Sequence, residues 1–281
     1  MNDNLCIVCG SPYKKSKLKG LIECTNCSFI TTNLNISNDE LKKLYSIDYF
    51  HGKEYSDYLS DKKIIQHNFY SRLKTLMKYI QNPKEKSLFE IGCAYGFFLD
   101  VANPLFSDVS GIDISAEAVQ KGKELMGLNV FSGDFLEYKF DSKYDVFCMW
   151  DTIEHLKEPH LFIEKISENI NKDGLIAIST GDIGSLNASI RGDNWRQIHP
   201  PTHLQYFSSK TLAKLLEKYG FEVVYTGHPG NYLSLNTISY ILFVLKYNIP
   251  GFYNLLKKTG IVNLNVYLNM FDFVYMIGRK K

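Results

Sequence analysis

The stretch Asp151-Thr152-Ile153-Glu154-His155 gathers two carboxylates and an imidazole within five residues. If it turns as a helix, positions 151, 154 and 155 share one face and converge on a point. The loop Asn194-Trp195-Arg196-Gln197-Ile198-His199-Pro200-Pro201-Thr202-His203 adds His199 and His203. Carboxylates and imidazoles together suit a divalent cation, which would lower the pKa of a bound hydroxyl. Without a metal, His155 or His203 can take a proton as general base. A third reading leaves Glu154 and His155 with a positioning role only.

A second constellation is Cys6-x2-Cys9 and Cys24-x2-Cys27, the two pairs separated by fourteen residues. Each pair is a tight knuckle presenting two thiolates, so Cys6, Cys9, Cys24 and Cys27 are read as one closed, structural zinc site. Two disulfides are the alternative. Lys14, Lys15, Lys17 and Lys19 lie between the knuckles without interleaved aromatics, and are read as a solvated hairpin, not a nucleic-acid surface.

What must position these groups is organised around Leu88-Phe89-Glu90-Ile91-Gly92-Cys93-Ala94-Tyr95-Gly96. An apolar run predicts a strand over 87–91 covered on both faces, then a glycine turn and a helix to about residue 103. Gly92 and Gly96 permit a tight bend and let a ligand approach bare backbone. Glu90 ends the strand as an acceptor for a ligand's hydroxyls or amine. A second strand ends at Asp113, where a ribose diol would be gripped, and a third at Asp134, suited to an adenine amino group. Such turns serve nicotinamide and flavin dinucleotides as well. At these residues the chain resembles the class I S-adenosylmethionine (SAM)-dependent methyltransferases, whose first motif reads acid-x-Gly-x-Gly-x-Gly. Ala94 stands at the middle glycine, on which a dinucleotide enzyme normally seats its pyrophosphate. The resemblance implies SAM held by Glu90, Gly92, Cys93, Ala94, Gly96, Asp113, Ile114, Asp134, Phe135 and Trp150.

Strands then alternate with helices, which predicts a parallel sheet with right-handed crossovers. Helices are expected over 116–126, 156–169 from near Pro159, and 208–219 capped by Ser208. Strands are expected over 144–150, 175–180 after the Asp173-Gly174 turn, 221–226 and 273–278. The resemblance makes this α/β chain a Rossmann-like, seven-stranded methyltransferase sheet with its last strand antiparallel. Ahead of it, Asn38 caps a short helix with Leu41, Leu44 and Tyr45 on one face. An aromatic segment follows, Tyr49-Phe50-His51-Gly52 and Tyr55 to Tyr58, read as a lid or as packing. Residues 69–80 form an amphipathic helix with Leu73, Leu76, Met77 and Ile80 buried. Residues 229–271 depart from a minimal core, as a helical insertion before the last strand. Its apolar run is far shorter than the roughly twenty residues of a membrane span. It is read as a pocket cap or dimer face, or as an interfacial anchor reaching a lipid-linked acceptor.

The acid-x-x-Glu-His pattern with a later histidine resembles ubiquinone-biosynthesis O-methyltransferases and small-RNA 2′-O-methyltransferases. Asp151 stands for the first acid, and Glu154, His155 and His203 match directly, which makes all four candidate catalytic residues and the seat of a second divalent cation. Together with the ribbon, Tyr45, Tyr49-Phe50, Trp195 and Phe207, the chain resembles zinc-ribbon methyltransferases of bacterial cell-surface glycan synthesis, and distantly sugar C-methyltransferases. The expected organisation is a zinc ribbon over 1–34, a helical and aromatic linker over 35–86, and a methyltransferase core over 87–281. The expected activity is methyl transfer to a hydroxyl or carbon of a sugar or glycan precursor, with Trp195, Tyr206 and Phe207 stacking on a sugar or filling the core. The alternatives are an RNA 2′-O-methyltransferase and an inactive SAM-binding scaffold. With 281 residues, 45% of them hydrophobic, and a net charge of +2, the chain can bury one full core and has no general pull toward nucleic acid. The absence of an apolar run after Met1 and the reduced cysteines point to the cytoplasm, near the membrane if the acceptor is lipid-linked.

Overall fold

The computed structural model describes residues 5–34, 59, 61–260, 262 and 264–281. The helix predicted from Asn38 and the aromatic segment ending at Tyr58 lie outside these residues. A seven-stranded sheet forms the centre. Its parallel strands are β4 (Ser87–Ile91), β5 (Asp108–Asp113), β6 (Asn129–Ser132), β7 (Tyr144–Trp150) and β8 (Ile170–Gly181). β13 (Phe273–Lys280) runs antiparallel between β8 and β10 (Phe221–Gly227), giving the order β10-β13-β8-β7-β4-β5-β6. The chain leaves β4 toward β5 on one side and returns from β6 to β7 on the other. β4 therefore stands at a switch point, and its carboxyl end opens into a crevice.

Alternation along the central strands divides the core between the two faces of the sheet. Phe147 and Met149 join Phe89, Ile91 and Ile176 on one face. Val146, Cys148 and Trp150 join Leu88, Leu175 and Ala177 on the other. Each of these side chains is buried, so the strands read as continuous apolar runs. Truncating one of the large ones, such as Phe147, costs about 3–5 kcal/mol.

Local rules place the helices. α3 (Ala116–Met126) is capped by the Ser115 hydroxyl, which accepts from the Ala118 amide, and closed by Gly127 at φ +64°. α5 (Leu186–Arg191) is capped by the Ser185 hydroxyl, which accepts from the Ala188 amide, and α6 (Ser209–Lys218) carries the capping box of Ser208 and Thr211. α2 (Phe97–Ala102) and α4 (Pro159–Asn169) begin where the turn and the proline predict. The helix expected over 69–80 is instead α1 (Lys62–Leu76), followed by a 3-10 turn, Met77–Tyr79. Its apolar stripe runs Ile65, Phe69, Leu73, Leu76, and the residue buried beside Leu73 is Arg72. β8 begins five residues before the expected strand, at Ile170, so the Asp173-Gly174 turn lies within it as an irregularity opposite Tyr144 and Val146.

The amino-terminal knuckles carry β1 (Tyr13–Lys15), β2 (Leu21–Cys24) and β3 (Ile30–Thr32). A fourth strand comes from the core: β9 (Gln205–Tyr206) pairs with β3, Ile30 opposite Tyr206 and Thr31 opposite Gln205. Phe29 sits against Phe207 with ring centroids 5.0 Å apart. The ribbon is thus sewn into the core. Residues 229–271 contain helices, α7 (Leu235–Ser239) with a π-helical continuation over Tyr240–Lys246 and α8 (Pro250–Thr259), and also a hairpin of β11 (Asn231–Ser234) and β12 (Asn265–Leu268). β11 is tied to α1, since Asn68 and the Tyr232 backbone exchange two hydrogen bonds.

Candidate functional site

A pocket of about 400 Å³ opens at the carboxyl ends of β4, β5 and β7. One half is made by the backbone turn after β4. Gly92, Ala94 and Gly96 all have positive φ, at +75°, +45° and +76°. Gly92 is required there for a second reason: a Cβ would come within 2.5 Å of the Thr152 hydroxyl. The Asp113 carboxylate ties the turn by accepting from the Ala94 and Ser115 amides, both at 2.8 Å. Asp134 accepts from the Leu136 amide in the same way. Of the ten residues assigned to SAM from sequence, Glu90, Gly92, Cys93, Ala94, Asp113, Ile114, Asp134, Phe135 and Trp150 line the pocket, while Gly96 lies behind as the cap of α2.

Three buried polar atoms on this pocket's wall have no hydrogen-bond partner among the described residues: Glu90 Oε2, Arg72 Nε and Trp150 Nε1. Burial of such groups unpaired is costly, so each calls for a partner such as water, an ion or a ligand. Burial, with Asp113 nearby, pushes the Glu90 carboxyl well above its ordinary range. Arg72 is held by the Asp151 carboxylate at 3.1 Å, the Ser179 hydroxyl at 3.1 Å and the Asn231 amide oxygen at 3.3 Å, and its guanidinium stacks over Trp150. The sequence reading missed it. The signal was its place three residues after Phe69, on a stripe where a helix buries apolar groups.

The other half surrounds a 3-10 turn, Ile153–His155. Asp151, Glu154, His155 and His203 were expected to converge. Glu154, His155 and His203 do, offering ligand atoms within 4.8 Å of one another. The Asp151 carboxylate instead points to Arg72 and Ser179, from a backbone at φ +50°. A positive φ at this non-glycine residue turns its side chain out of the face that a regular helix would give it. The rings of His155 and His203 are edge-on at 4.6 Å, and His199 lies 3.9 Å from His203. His155 Nδ1 meets the Thr202 carbonyl and His203 Nδ1 the Gln197 carbonyl, each at 2.9 Å. A carbonyl only accepts, so His203 carries its proton on Nδ1 and its lone pair on Nε2, while the His155 ring is bonded to the Asp151 carbonyl as well as to that of Thr202. Burial lowers His155 to about 4, and burial with the neighbouring histidines lowers His203 to about 2. Burial and Asp151 raise Glu154 to about 8, and the Thr180 hydroxyl donates to it at 2.9 Å. Of the three clustered residues only His155 also lines the pocket, joined there by Asp151, while Glu154 and His203 are buried behind it.

Trp195, Tyr206 and Phe207 do not face the pocket. All three are buried: Trp195 donates to Asp272 at 2.9 Å, and Tyr206 donates to the His203 carbonyl at 3.0 Å. Of the two roles weighed for them, the structure gives the core. At the far end, Cys6 and Cys27 bring their sulfurs to 3.5 Å, and Cys9 and Cys24 to 3.4 Å, with all four mutually within 4.8 Å. The Asn26 and Cys27 amides point at Cys24 Sγ. This separation is far beyond an S–S bond of about 2.05 Å. Four converging sulfurs with amide donors fit a closed tetrahedral zinc site. Among the described residues, no helix is long and apolar enough to cross a membrane.

Residues 64–226 match the family model described as a methyltransferase domain. The ubiquinone biosynthesis O-methyltransferase of Glaesserella parasuis is 27% identical over 106 residues, 34% of this chain and 45% of that protein. A Papaver bracteatum protein named "Probable (S)-tetrahydroprotoberberine N-methyltransferase 2" is 26% identical over 140 residues, 45% of this chain and 39% of the other. The matched stretch spans less than half the length of these relatives. Magnesium protoporphyrin IX methyltransferase from Synechocystis PCC 6803, solved with bound S-adenosylhomocysteine (SAH), shares the fold with a TM-score of 0.55 at 14% identity, over 87% of this chain and all of that one.

Proposed function

We propose that this chain, a member of the methyltransferase-domain family, uses SAM to methylate a hydroxyl, or a carbon, of a sugar or glycan precursor or related small molecule. The observation that carries the donor half is the trio of unpaired buried polar atoms on Glu90, Arg72 and Trp150. A SAM molecule bears both an ammonium and a carboxylate, the groups that would satisfy one buried acceptor and two buried donors. Its sulfonium supplies an electrophilic methyl. In this reading Asp113 and Asp134 take the ribose and adenine ends, while the open backbone at Gly92 to Ala94 leaves room for the chain between them.

The acceptor half rests on His155. Its imidazole stays neutral through the physiological range and can accept a proton as the nucleophile advances. Thr202 orients the ring, and Glu154 and His203 position it from behind. Asp151 and the rim residues Lys157 and Glu158 offer hydrogen-bonding groups suited to a polyhydroxylated acceptor. A divalent cation held by Glu154, His155 and His203 would sit at a cluster of which only His155 reaches the pocket wall, so the reading assigns proton removal to His155 itself. The four cysteines hold one structural zinc. The proposed division is a ribbon over 1–34, a linker over 35–86 and a core over 87–281. A lipid-linked acceptor at a cytoplasmic membrane surface belongs to the same proposal. Its support is the stretch between Glu222 and Asp272, which contains lysines but no acid and exposes Tyr247, Phe252, Leu255 and Phe271.

The test follows methyl-labelled SAM into a fractionated cell extract. Label in sugar or lipid-linked material, lost with His155→Ala, is the expected result. Label in RNA would replace the sugar reading with 2′-O-methylation of nucleic acid, and label nowhere despite SAH binding would leave a SAM-binding scaffold.

A further inference from the structure

The ribbon and the histidine cluster are parts of one hydrogen-bonded unit. β3 begins three residues after Cys27, and β9 begins two residues after His203. Between them the Thr32 amide donates to the Leu204 carbonyl at 2.9 Å, and the Thr31 hydroxyl to the same carbonyl at 3.0 Å. The Leu204 amide in turn donates to the Glu154 carbonyl at 2.8 Å. The Gln205 side-chain amide donates to the carbonyls of Leu156 and Lys157, both at 3.1 Å. The Thr202 carbonyl takes His155 Nδ1. The Glu154 backbone and the His155 ring are therefore held by the five-residue segment 202–206, which contains His203 and whose outer edge is paired to the ribbon. The turn after β4 shows no such bond to the ribbon among the described residues. Its amides go to Ile112 and Asp113.

We infer that the four-cysteine site is a latch for the acceptor half of the pocket: metal held by Cys6, Cys9, Cys24 and Cys27 sets β3, β3 sets β9, and β9 sets His155 and His203. A two-residue strand has little hold of its own. With the knuckles open, β3 loses its anchor and the bonds at Leu204 go with it. The donor half, built on β4 and β5, stays formed. Loss of the ribbon metal would leave a protein that still binds SAM but no longer orients the acceptor's proton. Thr31, Thr32, Leu204 and Gln205 are positioning residues in this account.

The inference rests on the methyl-transfer reading only for its kinetic arm, so its main test is independent of turnover. The full-length zinc-loaded protein is compared with the same protein after chelation. The readouts are amide exchange at Leu204 and Ala94 and calorimetric SAH affinity. The expected result is faster exchange at Leu204 by about tenfold or more, the scale of one lost hydrogen bond. Ala94 exchange should be unchanged and SAH affinity altered less than about threefold. Equal protection of Leu204 in both states would overturn the latch. So would parallel loss of Ala94 protection and SAH binding, since the ribbon would then support the whole fold. Thr31→Val, which leaves every cysteine in place, should raise Leu204 exchange and lower kcat while KM for SAM holds. An unchanged Leu204 amide in that variant would also contradict it. Intact exchange effects with no methyl transfer from the zinc-loaded wild type would refute the activity and leave the latch standing.

Discussion

The two halves of the pocket are built by different means. The donor half comes mainly from one stretch of chain, a strand, a turn of three positive-φ residues and an aspartate that ties the turn from the next strand, with Arg72 of α1 and Trp150 of β7 added to it. The acceptor half is assembled from α1, the turn after β7, the loop before β9, the insertion hairpin and, through β9, the ribbon. A site made by one contiguous motif depends on few long-range contacts. A site assembled from many pieces has more places to be specialised and more places to fail.

That contrast can be broken by single changes. The largest expected effect is on turnover with His155→Ala. Losing a positioned base should cut kcat by about 10²–10⁴, with SAH affinity held within about twofold. Next is Asp113→Ala, which removes the acceptor of two backbone amides as well as the proposed ribose contact. SAH affinity should fall by about 10–100-fold, read by calorimetry. Arg72→Met sharpens the comparison because Arg72 touches both halves, through Asp151 and through its unpaired Nε. It should lower stability by about 1–3 kcal/mol and weaken SAH binding together, visible in denaturant melts and in titration.

The smallest effect is a pH dependence, to which the acceptor half contributes in both directions. In the metal-free protein His155 and His203 titrate near 4 and 2 against an ordinary 6.5. The unfolded chain then binds more protons below pH 6.5, so stability is complete above that pH and is lost as the pH falls toward 4 and below. Glu154 is raised to about 8 from 4.5, so the folded state holds the extra proton and stability falls as pH rises from about 4.5 to 8. Glu90 and Asp113, both raised by burial, add to this alkaline decline from the donor half. From pH 6.5, where the histidine contribution is complete, to pH 8 the Glu154 contribution alone falls by about 2 kcal/mol. Glu154→Gln should reduce the alkaline decline, and His203→Asn should reduce the acid one. Melting curves from pH 4 to 8.5 measure both.

The same contrast explains what was legible in the sequence. β4, its turn, β5, β7 and α3 follow local rules: continuous apolar runs, glycines where φ is positive, Ser115 as a cap. Each could be read because its neighbours in space are its neighbours in sequence or its own periodic repeats. The acceptor half could not be read so fully. β9 is two residues long and is a strand only because β3 supplies its partner. Asp151 leaves the Glu154 and His155 face through one positive φ that an aspartate does not announce. Arg72 hid on a helix whose start was placed seven residues late, and a lone arginine there reads as solvated surface. Trp195, Tyr206 and Phe207 suit a sugar face or the core by residue type alone, and Asp272 and the His203 carbonyl account for two polar ends in the core.

The most direct test of a pocket with two separable halves is a calorimetric titration of SAH into wild-type, Asp113→Ala and His155→Ala protein under one set of conditions. The account predicts binding to wild type, a loss of tenfold or more in Asp113→Ala, and affinity within about twofold of wild type in His155→Ala. Equal losses in both variants, or a wild-type protein that does not bind SAH, would contradict it.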